Sequence, residues 1–94
     1  VDSVIGNRYY GIGISTTGAV TISKSNIFGN GSYYNSASPN CGIRNNVVGV
    51  VSAKGNFWGS ASGPGPDPAD AADPFCEFNT GSIDSSSPAT KRFP

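Results

Sequence analysis

Val4-Ile5-Gly6-Asn7, Ile27-Phe28-Gly29-Asn30 and Phe57-Trp58-Gly59-Ser60 are three versions of one phrase, and their spacing decides the fold. The interval from Val4 to Ile27 is shorter than the next, from Ile27 to Phe57. An interval of roughly two dozen residues is one coil of a three-faced parallel β-helix, in which short strands separated by turns stack on the coil below. The longer second interval is explained by Gly31-Ser32-Tyr33-Tyr34-Asn35-Ser36-Ala37-Ser38-Pro39-Asn40, whose composition predicts a loop inserted at one corner of a coil.

Working outward, Gly11-Ile12-Gly13-Ile14 returns as Gly42-Ile43-Arg44-Asn45, each opening a strand. Ala19-Val20-Thr21-Ile22-Ser23 alternates as a half-buried strand does, and residues Val47 to Val51 supply its partner. Two registers fit these coils. An offset of 30 superimposes Lys24 on Lys54, Asn26 on Asn56 and Gly29 on Gly59, which keeps the turn chemistry and predicts an asparagine ladder. An offset of 31 superimposes Ile12 on Ile43, Val20 on Val51, Ile22 on Ala53 and Ile27 on Trp58, which keeps the apolar columns. A one-residue slip turns every side chain to the opposite face. The two offsets are therefore reconciled by a bulge or shortened turn near residues 49 to 55, with Gly49 and Gly55 as candidates.

Composition points the same way. The 94 residues include seven Val, seven Ile and five Phe but no Leu or Met, a palette suited to pleated strands rather than helices. Thirteen Gly and seven Pro punctuate the chain with turns. Six basic and six acidic side chains balance, so no electrostatic footprint favours nucleic acid. No window holds the roughly 18 apolar residues of a membrane span. The opening at Val1, with no charged segment leading into an apolar one, reads as a trimmed or processed start.

The two cysteines, Cys41 and Cys76, match no zinc or thioredoxin spacing, and there is no His; neither a metal site nor a cofactor site is expected. In a small Ser/Asn/Gly-rich chain they are read as one disulfide of an exported protein, worth about 3–4 kcal/mol on the chain-entropy account, with two buried thiols as the alternative.

After Gly59 the repeat stops. Residues 60 to 74 carry alternating prolines, which forbid a central strand, and Gly81-Ser82-Ile83-Asp84 offers one short edge strand before a polar end. Asn56-Phe57-Trp58-Gly59-Ser60-Ala61-Ser62-Gly63-Pro64, arriving after Gly-Ile and Asn-x-x-Gly-Asn coils, resembles the terminal segment of bacterial right-handed parallel β-helix repeat proteins, the pectin-lyase-like group. The Trp-Gly-Ser-x-x-Gly-Pro element is the specific part, and the likeness covers most of residues 4 to 84. The Ser85-Ser86-Ser87 run departs from the short strand ending in Pro-aromatic that the resemblance implies.

Lyases on that fold use calcium-binding acidic clusters with a basic residue, and its hydrolases use grouped carboxylates. From Val4 to Gly59 there is no Asp or Glu, and only Arg8, Lys24, Arg44 and Lys54 are charged. No catalytic residue is assigned, because proton transfer needs positioned acids and bases. Asp67, Asp70 and Asp73 read as a solvated loop, with a calcium clamp as the alternative. Lys24 and Lys54 form a basic stripe only in the register of 30. Tyr9, Tyr10, Tyr33, Tyr34 and Trp58 are the candidate carbohydrate contacts, weighed against tyrosines that pack on the solenoid and a Trp58 that plugs the end of its core.

The expectation is thus an all-β, right-handed parallel β-helix fragment of two to three coils. Residues 1–59 form the coils, with the loop at 31–40, and 60–94 form a Pro-rich crossing and an irregular C-terminal cap or edge strand. The expected function is a non-catalytic structural or binding end-piece of an exported, extracellular or cell-surface bacterial protein that contacts polysaccharide. The competing readings are the end of a polysaccharide lyase or glycoside hydrolase whose catalytic coils lie upstream, and a free-standing protein that self-associates through its open end. That end, an incomplete first coil, is expected to stack on preceding coils or on a second copy.

Overall fold

The computed structural model describes residues 2–7, 11–16, 18–30, 41–65 and 81–94. Among them there is no helix, and the chain is all-β. Six three-residue strands occur in the order β1 (Ser3–Ile5), β2 (Ile12–Ile14), β3 (Asn26–Phe28), β4 (Ile43–Asn45), β5 (Val50–Ser52) and β6 (Ser82–Asp84). They are short because Gly, Asn or Ser residues that favour turns stand within a few positions of every strand end.

Every pairing is parallel. β1 pairs with β3, β2 with β4 and β5 with β6. Val4 lies beside Ile27, Ile12 beside Ile43 and Val51 beside Ile83. Isolated parallel bridges join Thr21 to Ser52 and Asn26 to Phe57, with the same offset as Ile12 to Ile43. Asn26 N donates to Asp2 O, Phe57 N to Ser25 O and Ala89 N to Asn56 O. One rung pattern therefore repeats through the ladder Ser3, Asn26, Phe57, Ala89.

The register is accordingly 31 from Ile12 through Phe57, and the apolar match decided it. The bulge expected between residues 49 and 55 is not needed, because the offset is the same on both sides of that turn. Lys24 aligns with Gly55 rather than Lys54, and Asn56 follows Ser25 rather than Asn26. The turn explains why. Lys24 has φ 52° and Gly55 φ 72°, so both occupy the left-handed conformation this corner requires, as does Ser87 at φ 52° in the layer that follows. The strand expected over residues 47 to 51 starts only at Val50, after a bend in which Gly49 takes φ 134°. At 19 to 23 the exposure alternates as expected, with Val20 and Ile22 turned inward, but pairing is confined to the bridge at Thr21.

The core follows from the period-2 alternation of these strands. Ile14, Ile27, Ile43, Val51, Ala53 and Trp58 are buried together, with Ile12, Val20, Ile22, Val47 and Ile83 packed against them. Each fully buried aliphatic side chain contributes roughly 1.5–3 kcal/mol. In this register Ile27 lies between Val4 and Trp58, and Ile43 beside Ile12. One inward position is polar: Asn45, beside Ile14, is fully buried.

Residues 81–94 are integrated with the earlier strands rather than set apart from them. Gly81 N donates to Asn45 O and Ser82 N to Gly49 O. A Cβ at Gly81 would lie 2.6 Å from Gly49 O and collide with Val47 O and the Asn45 amide. Gly81→Ala is therefore expected to cost about 1–3 kcal/mol by forcing the backbones apart. Urea unfolding checks this, and an unchanged midpoint would show that the close approach is not maintained.

Candidate functional site

Four buried asparagines mark the corners and faces where side chains do more than fill space. Asn26 and Asn30 are 1% exposed, and Asn45 and Asn56 are fully buried. A buried amide is tolerated when its donors and acceptor are satisfied, and these satisfy theirs across neighbouring layers. Asn56 Oδ1 accepts from Ser25 N at 3.0 Å, while its Nδ2 donates to Ile22 O and Ala53 O, both at 2.8 Å. Asn30 repeats the device: Nδ2 donates to Val4 O and Phe28 O, and Oδ1 accepts from the Asn7 backbone and side chain. Asn45 donates to Gly49 O and Ser82 O and accepts from Val47 N.

The ladder expected between Asn26 and Asn56 does not form. In the register of 31 the two amides occupy different positions. Asn26 is turned away from the core, where its Nδ2 donates to Ser3 Oγ at 3.1 Å and to Phe93 O at 3.0 Å, and its Oδ1 accepts from Phe93 N at 2.8 Å. Beside it the Phe28 and Phe57 rings meet edge to face, with centroids 5.9 Å apart, and the Arg92 guanidinium lies 5.2 Å from the Phe28 centroid. The repeated phrases contain Asn30 and Asn45 but do not mark them as buried amides that bridge layers, and they do not show this contact with the C-terminal segment. The recurrence of Asn beside strand ends is the signal that points to the first two, whereas nothing local points to a contact 67 residues away.

Of the candidate carbohydrate contacts, Tyr9, Tyr10, Tyr33 and Tyr34 lie outside the described residues. Trp58 has no exposed surface and sits in the apolar cluster, so its indole offers no face to a sugar. Its Nε1 is buried and is the one buried side-chain polar atom among the described residues with no hydrogen-bond partner. Cys41 is buried at 2% exposure, and Cys76 lies outside the described residues. So do Asp67, Asp70, Asp73 and the 31–40 loop. Among the described residues no group of acidic, His or Cys side chains is placed to hold a metal ion.

One pair of opposite charges meets among the described residues. Lys54 Nζ lies 3.5 Å from Asp84 Oδ2 at the surface, and with Lys24 aligned to Gly55 the two lysines form no stripe. Hydrogen bonds from the Ser86 hydroxyl and then the Ser86 N–H hold the Asp84 carboxyl below the usual carboxylate range, with Lys54 adding to them. A carboxylate whose folded pKa is depressed stabilises the fold above its unfolded value, near 3.9, and loses that effect as pH falls through the folded value. Wild type is therefore expected to melt above Asp84→Asn at neutral pH, with the difference shrinking to nothing in strong acid. Melting curves across that range check the sign, and a gap that widens in acid would refute it.

Two concavities accompany these features. One of about 510 Å³ opens where β1 and β2 meet residues 21–25, lined by Val4, Ile12 and Ile22 together with Asp2, Ser3 and Ser25. The other, of about 260 Å³, lies between Thr16, Ala19, Asn45, Val47 and Val50, beside the exposed Val48. No described helix is long and apolar enough to cross a membrane. No protein-family model, curated protein or solved structure matches this chain.

Proposed function

We propose that the chain is an end segment of a right-handed parallel β-solenoid, serving as a non-catalytic structural or binding piece of an exported protein that contacts polysaccharide. The observation that carries the reading is the repeated parallel pairing of strands far apart in the chain, Val4 with Ile27, Ile12 with Ile43 and Val51 with Ile83, which files one set of aliphatic columns inward. Parallel strands in one sheet need crossovers, and crossovers are overwhelmingly right-handed. The likeness of Asn56 to Pro64 to the end of pectin-lyase-like solenoids agrees with it. The concavity beside β1 supports a polarity in which further parallel strands cover Val4, Ile12 and Ile22 while Trp58 lies toward the closed end.

The functional test is direct. The purified chain is incubated with uronic-acid and neutral polysaccharides, and both binding and chain cleavage are followed. Retention on one polymer class without new reducing or unsaturated ends is the expected result. Cleavage by the chain alone would overturn the non-catalytic reading, and absence of retention on every polymer would overturn the polysaccharide contact.

The same proposal includes a Cys41–Cys76 disulfide, supported by the burial of Cys41 and the absence of a free cysteine among the described residues. Alkylation without reductant is expected to label neither cysteine. Reduction is expected to lower stability by about 3–4 kcal/mol. Stoichiometric labelling of the folded, unreduced chain would exclude the bond.

A further inference from the structure

The contact between Asn26 and residue 93 has the form of a recognition event rather than of packing. The Asn26 amide meets one residue's main chain at two points, donating a hydrogen bond to Phe93 O and accepting one from Phe93 N. This is how one strand reads the main chain of the next, performed here by a side chain that is itself 1% exposed and tethered by Ser3 Oγ. Specificity is supplied next door. The residue preceding the bonded one places its guanidinium over Phe28, which Phe57 holds edge-on. Amide and aromatic are preset by β3, whose Asn26 and Phe28 share one face with Ile27 inward between them.

The ligand side is held lightly. Thr90, Lys91, Arg92 and Pro94 are exposed and Phe93 is half-buried. After Ala89 N bonds Asn56 O, the described attachment consists of the two Asn26 bonds and the Arg92 stacking. A preset receptor holding a short, exposed strap is the arrangement from which exchange between copies arises.

We infer that Asn26, Phe28 and Phe57 form a peptide-binding site, occupied in cis by Arg92-Phe93, which accepts the same segment of a second copy of this chain. The second copy is the occupant because the site is complementary to this sequence: a cationic residue followed by one with a free backbone N–H. The contact then acts as a latch that is closed within one molecule when dilute and shared between molecules when concentrated.

The test uses the full wild-type chain and the peptide Lys-Arg-Phe-Pro as the probe. Saturating peptide should displace the strap and raise hydrogen exchange at the Phe93 amide by about tenfold or more, while acetyl-Ser-Ala-Pro-Pro, which has no cationic residue and no N–H at the position of Phe93, leaves it unchanged. In the full-length variant Arg92→Ala/Phe93→Pro, whose strap has lost its cation and its N–H donor, the peptide should bind at least about tenfold more tightly than to wild type. Adding Phe28→Leu to that background should weaken it about two- to fivefold while the thermal transition is retained. Unchanged Phe93 exchange in wild type at excess peptide would overturn the inference whether or not the variants fold. So would equal displacement by the control peptide.

Discussion

Trp58→Ala is expected to lower the unfolding free energy by about 3–5 kcal/mol. The side chain is completely buried against Ile27 and its neighbours, and removing a buried aromatic costs about 3–5 kcal/mol. A 94-residue domain has a total stability of about 5–14 kcal/mol, so the loss removes a large part of the whole. Trp58→Phe separates volume from polarity. The indole N–H has no partner, and an unsatisfied buried donor costs about 1–3 kcal/mol; deleting that donor offsets part of the lost volume. Urea titrations of the three proteins check the order, with phenylalanine close to wild type and alanine far below. An alanine variant within about 1 kcal/mol of wild type would mean that the indole is not in the core.

The second large effect is expected at Asn56, a residue with no apolar surface to lose. Asn56→Ala strands Ser25 N, Ile22 O and Ala53 O in a buried corner. At about 1–3 kcal/mol per unsatisfied group, moderated where water enters the vacated space, a loss on the order of 3 kcal/mol follows. Asn56→Asp is the sharper experiment. It keeps the acceptor facing Ser25 N but turns a second oxygen toward two carbonyl oxygens, so the charged form is disfavoured and the folded pKa of the new acid is raised. Such a variant is at its best in acid and loses stability as pH rises from the unfolded value near 3.9 through the folded one. This trend is opposite to that expected for Asp84. Calorimetry of N56D and D84N against wild type over the same pH range distinguishes them. A pH-independent N56D would show that its amide does not bridge the corner.

The two cases show what the sequence could reveal. The phrases at Val4, Ile27 and Phe57 locate strands, and the columns Ile12 with Ile43 and Val20 with Val51 give the register, because hydrophobic alternation is written directly into residue order. The match of Lys24 with Lys54 and Asn26 with Asn56 was equally visible and misleading. Polar turn residues recur because turns favour a small set of types, and identity at such positions does not imply equivalence. The real equivalence at that corner is a backbone conformation shared by Lys24, Gly55 and Ser87, three residue types with nothing else in common. The long reach from Asn26 to Phe93 was hidden for a different reason. Its chemistry uses main-chain atoms of residue 93, which every non-proline residue possesses.

The pairing distances also set how the molecule must assemble. Even the described β-bridges closest in sequence, such as Ser3 with Asn26, join residues a full coil apart, so no hairpin among the described residues is available as a fast local nucleus. Loop closure precedes each contact that rewards it, and architectures dominated by such separations form in milliseconds to seconds rather than microseconds. During that interval the unpaired rims of strands stand open to other molecules. Refolding yield should therefore fall as protein concentration rises, which makes dilution a variable that governs recovery of the native chain.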